Sequence, residues 1–166
     1  MFVIKGVKNS GKTHTAWLVY NLLKEAGTIV YSEFHRDQKE MCYADIIQDI
    51  VNSFANSNLA EAHDFRAIME YMGKKVAIIS AGDYVKDETW EVTSFIDSLK
   101  WANRYQADYI VCCCRSINRK GSVCRYIMEN YKQAVCNWYY KVKTNVLADQ
   151  INDVKKVAGE VFRDIK

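Results

Sequence analysis

The sequence predicts a three-layer α/β sandwich: a five-stranded parallel sheet with helices on both faces, in one domain spanning residues 1–166. Three observations carry this. Short apolar, β-rich runs alternate with stretches of helical periodicity five times along the chain. Two of those runs, 75–80 (KVAIIS) and 108–114 (DYIVCCC), are almost continuously apolar, as strands buried on both faces are. A chain of 166 residues can bury roughly 70% of its unfolded surface in a single domain, so no disulfide or metal is needed to hold it together.

The elements follow in order. Residues 2–5 are apolar and end at Gly6. From about Gly11 to Ala26, the residues Ala16, Val19, Leu22, Leu23 and Ala26 share one helical face, and Gly27 stands where the helix should stop. Residues 28–34 (TIVYSEF) predict a second strand, and 43–72 predict two helices broken near Asn56 to Asn58. After the third strand, Val92, Phe95, Ile96, Leu99 and Ala102 line a helix. The fourth strand is followed by a helix from about Ser122, and 135–142 predict a fifth strand. Val154, Val157, Ala158, Val161 and Ile165 mark a last helix.

No run of 18 apolar residues is present, so a membrane span is not expected, and MFVIKGVKNS lacks the features of a signal peptide. The cysteines, three of them consecutive (Cys112, Cys113, Cys114), show neither a disulfide framework nor zinc spacing. They predict small buried apolar residues in a cytoplasmic protein.

One motif carries chemistry. Gly6-Val7-Lys8-Asn9-Ser10-Gly11-Lys12-Thr13 fits GxxxxGK[ST], after a strand and opening an amphipathic helix. Chance supplies such a match in about one chain in a hundred of this length. Glycines let successive N–H groups turn inward onto phosphate oxygens, and the helix start adds its positive dipole end. With these residues the chain resembles the P-loop NTPase superfamily. The resemblance implies that family's fold and binding of ATP, with GTP not excluded, together with Mg²⁺. It makes 6–13 and His14 the nucleotide-binding stretch, with Lys12 at the β- and γ-phosphates and Thr13 on the metal. Asp83, just past the third strand, looks like the family's second metal carboxylate.

The layout further resembles small nucleoside and nucleotide kinases, which close a basic lid over the donor phosphates. That implies a phosphoryl transfer to a small acceptor, with Arg115 and Arg119 stabilising the moving group. Residues 115–143 hold seven basic residues and one acid, a net of +6 that leaves −3 for the remainder. Residues 36–75 hold five basic residues and seven acids, which favours an uncharged acceptor. Glu33, at the end of the second strand, resembles the deoxynucleoside-kinase glutamate that deprotonates the acceptor hydroxyl. Strand alternation should bury about half of Trp138, Tyr139 and Tyr140, which argues against nucleic-acid stacking.

Other classes fit less well. Arg115-Ser116-Ile117-Asn118 replaces the guanine-reading NKxD of small GTPases, and the chain has none of the prolines of adenylate kinases. Residues 6–35 also look like the small P-loop accessory proteins of molybdopterin-guanine-dinucleotide assembly. That alternative implies a slow ATPase or GTPase switch acting on a protein partner.

Overall fold

The computed structural model describes residues 1–35, 38–56, 62–83, 85–86, 91–117, 120–131 and 136–165. Its strands are β1 (Phe2–Gly6), β2 (Thr28–Phe34), β3 (Phe65–Tyr71), β4 (Lys74–Ile79), β5 (Tyr109–Arg115) and β6 (Asn137–Lys141). Its helices are α1 (Lys12–Ala26), α2 (Tyr43–Ala55), α3 (Phe95–Arg104), α4 (Val123–Asn130) and α5 (Leu147–Ile165).

The sheet is mixed and six-stranded, in the order β2-β3-β4-β5-β1-β6, which corrects the expected five-stranded parallel sheet. β3 runs antiparallel to both β2 and β4, while the β4–β5, β5–β1 and β1–β6 pairings are parallel. The extra strand occupies part of the stretch expected to be helical. Its side chains alternate with period two: Ala67 and Met69 join one core, Ile68 the other. β3 returns into β4 through Met72 and Gly73, both with positive φ (52° and 71°), as a two-residue hairpin requires.

Each face of the sheet has its own core. On one face Ile4, Val76, Ile78 and Val111 meet Trp17, Tyr20 and Leu23 of α1, Ile46 and Ile50 of α2, and Val154, Val157 and Val161 of α5. On the other, Val3, Ala77, Ile79, Cys112 and Cys114 meet Phe95 and Leu99 of α3 and Val123 and Ile127 of α4. The alternating Cys112, Cys113 and Cys114 are buried, and all six cysteines are free. Burial pushes the Cys113 thiol up to about 12, far from the range of a reactive thiolate. Among the described residues, no helix is long and apolar enough to cross a membrane.

Among the described residues of the basic stretch after β5, three cations are paired. Arg115 pairs with Asp83, Arg125 with Glu129 one turn along α4, and Lys141 with Asp153 of α5. The Lys141 side chain is fully buried in β6. Of the aromatic trio on β6, Tyr139 is buried, Trp138 packs on the second core beneath the Lys5 ammonium, and Tyr140 faces solvent. Arg119, Lys132 and the start of the expected fifth strand lie outside the described residues.

Candidate functional site

The strand ends bring the chemistry to one edge of the sheet. Gly6 at the end of β1 registers with Arg115 at the end of β5, and Phe34 of β2 registers with Phe65 of β3. β3 runs the other way, so it delivers its first residues to the edge where its neighbours deliver their last. Asp64 thereby joins the loop after β1, the segment 80–83 after β4, and Arg115. Between them lies a cleft of about 910 Å³, lined by residues 8–14, the end of α2, His35, His63, Asp64, Ser80, Asp83 and Arg115, and by Lys143 to Asn145.

The loop of residues 7–11 is tight at both ends. A side chain at Gly6 would come within 2.3 Å of Ser10 Oγ. Gly11 sits at φ +80°, where a Cβ would also press on Gln150 and Val154 of α5. Gln150 Nε2 donates to the Ser10 carbonyl at 2.9 Å and so ties the loop to α5. Thr15 Oγ1 and N both bond the Gly11 carbonyl, which sets the first turn of α1. Ser10 Oγ is buried and has no hydrogen-bond partner among the described residues.

Lys12 folds back across the loop, and its Nζ donates to the Val7 carbonyl at 2.8 Å. Burial is the main reason its ammonium sits below the usual lysine range, with Asp83 pulling it back up. Thr13 and His14 line the cleft beside it, and His14 Nε2 lies 2.7 Å from Asp49 Oδ2 of α2. Asp83 and Arg115, expected on the metal and on the phosphoryl group, form an ion pair with each other at the cleft wall.

Glu33 lies elsewhere. Its carboxylate takes the Arg66 guanidinium at 2.8 Å and 2.7 Å, and Arg66 in turn stacks on Trp101 of α3. Glu33 is not among the residues lining the cleft. The cleft carboxylate that the sequence reading overlooked is Asp64. Its Oδ1 accepts from Ser80 Oγ at 3.0 Å, Ser80 Oγ accepts from Phe65 N at 2.7 Å, and the Asp64 carbonyl accepts from His35 N at 2.8 Å. Burial pushes Asp64 up to about 6 and Asp83 adds to this, against the Ser80 hydrogen bond and the Lys12 charge. No alternation after Asp64 announces the strand, because Ala67, Ile68 and Met69 are consecutive apolar residues, and the one local cue is Gly73 in the turn before β4.

That carboxyl makes stability depend on pH. The unfolded chain releases the proton near 3.8, but the folded chain keeps it to about pH 6. Folding is therefore helped below the lower value, and the help is lost as pH rises through the upper one. Between pH 4 and 7 the wild type should lose about 2 kcal/mol relative to Asp64→Asn, read from urea midpoints. A difference that is constant with pH contradicts this.

Comparison with protein-family models, with curated proteins and with solved structures finds no match.

Proposed function

We propose that the protein binds a nucleoside triphosphate with Mg²⁺, ATP first and GTP not excluded, and moves its γ-phosphoryl group to a small uncharged acceptor. The observation that carries this is the state of the loop. A half-buried lysine ammonium is parked on a backbone carbonyl inside a curl of backbone that starts a helix. A triphosphate supplies that ammonium with better acceptors, and the helix start and Ser10 Oγ with an anion. Lys8, Arg115 and Lys143 add positive charge around the same cleft.

Among the described residues, no group of three or more His, Cys, Asp or Glu could hold a metal. Mg²⁺ in such a site is bound through one or two protein oxygens together with phosphate oxygens. Thr13 and Asp83 would hold it, and it would neutralise charge on the phosphates. Asp83 is then drawn from Arg115, leaving that guanidinium for the phosphoryl oxygens. The far wall offers Ile50, Ser53, Phe54 and Asn56 near the end of α2 with His35 and His63, room for a small neutral alcohol or nucleoside. The free cysteines suit a reducing cytoplasm.

A second reading, a hydrolysing switch on a protein partner, is favoured by the Arg115–Asp83 pair, because nucleotide arrival would break it. Incubation with Mg²⁺ and γ-labelled ATP over a panel of nucleosides and small alcohols separates the two. Transfer predicts label in an organic phosphate. Label in inorganic phosphate alone supports the switch, and absence of both label and ATP binding removes both.

A further inference from the structure

We infer that Asp64 is the general base of this cleft: it takes the proton from the attacking oxygen while Lys12 holds the γ-phosphate. The inference rests on the nucleotide-binding reading above and adds the residue that activates the nucleophile.

Three observations support it. Asp64 immediately precedes β3, which runs antiparallel to β2 and β4, so it reaches the loop's edge of the sheet from the direction opposite to those neighbouring strands. It is locked on both sides, by Ser80 Oγ on its carboxylate and by His35 N on its carbonyl. A carboxylate has about four acceptor positions, and Ser80 uses one of them. Glu33, the other candidate, has its carboxylate occupied by Arg66 and does not line the cleft.

The surroundings suit a base at neutral pH. Lys12 faces Asp64 from the start of α1, Asp83 from the segment after β4, His35 from the end of β2, and His63 precedes it in the chain. Burial brings Asp64 to about 6, close to the working range of a general base. The step balances as follows. The O–H bond of water or an alcohol breaks and its proton passes to Asp64. The oxygen bonds to the γ-phosphorus. The bond from that phosphorus to the β–γ bridging oxygen breaks, and its electron pair leaves with the nucleoside diphosphate. Asp64 then returns the proton to solvent.

Water is the acceptor to use as probe. With Mg²⁺ and ATP, phosphate release by Asp64→Asn should fall at least a hundredfold, the loss typical for a general base. Calorimetric affinity for Mg-ATP should stay within about fivefold, since lost positioning would weaken binding further. Wild-type turnover should rise with pH to a plateau with a midpoint near 6, and the variant's residual rate should be flat. That flattening separates Asp64 from His35 and His63, and Asp64→Glu should recover part of the rate. Thermal melting of each variant establishes that it is folded. If Asp64→Asn does not fold, the wild-type profile decides, and one that shows no rise overturns the inference. Turnover of folded Asp64→Asn within about threefold of wild type overturns it. So does a wild type that binds Mg-ATP and releases no phosphate between about pH 5 and 9. A wild type that does not bind Mg-ATP removes the underlying reading as well.

Discussion

Lys12→Ala should weaken Mg-ATP binding at least a hundredfold by calorimetry while leaving the melting temperature within a few degrees of wild type. The half-buried ammonium rests on the Val7 carbonyl, its one hydrogen bond among the described residues. Burial has already removed part of its hydration, so it gains more than an exposed lysine from an anionic partner. A charge-assisted hydrogen bond contributes about 1.5–3 kcal/mol, and two phosphates provide two of them. Loss of about 3 kcal/mol is a hundredfold in affinity. Folding should be little changed, because alanine removes both the hydrogen bond and the cost of holding a partly desolvated charge. An affinity within about threefold of wild type contradicts the role given to Lys12.

Phe65→Ala should cost about 3–5 kcal/mol of folding stability, seen as a lower urea midpoint with an unchanged slope. Phe65 is fully buried and stacks on Trp17 at a centroid distance of 4.0 Å, with Tyr20 at 5.6 Å edge-on and Phe34 at 6.3 Å. These rings join α1, β2 and β3, and no small movement of one element refills the space. Against a total of about 5–15 kcal/mol, that loss is a large fraction. Phe65 also adjoins Asp64, and its backbone N–H, which alanine keeps, donates to the Ser80 hydroxyl that holds Asp64. A loss below about 1 kcal/mol contradicts the packing described for β3.

The turn between β1 and α1 was legible because Gly6 and Gly11 lie within eight consecutive residues at fixed spacing, and such a pattern needs no knowledge of the rest of the chain. α1 is marked by Gly11 and Gly27 at its ends and buries every residue from Thr15 to Tyr20, whereas α5 was legible because it buries one stripe, so its apolar residues recur with helical period. β3 was hidden for the opposite reason. It is buried on both faces, so its polarity does not alternate, and Arg66 breaks the apolar run. That arginine is tolerated only because Glu33 and Trp101 meet it from distant parts of the chain. The turn closing the strand places Met72 at positive φ, where Asn or Asp would have announced a hairpin.

The same distance effect hides the partners of the basic stretch. Counting charges along residues 115–143 found the cations but not their partners, and Lys141 and Arg115 are answered by Asp153 and Asp83. Asp64 escaped notice together with its strand, because only the antiparallel direction of β3 carries it to the loop. Segment charge is a property of composition, whereas a site's charge is a property of the fold.

The most direct test is a crystal structure of the protein with Mg²⁺ and a non-hydrolysable ATP analogue. It should show the triphosphate inside the curl of residues 7–11, Lys12 Nζ moved from the Val7 carbonyl to the β- and γ-phosphates, and Asp64 facing the γ-phosphorus. Triphosphate bound elsewhere, or Lys12 still on Val7 at saturating nucleotide, would contradict it.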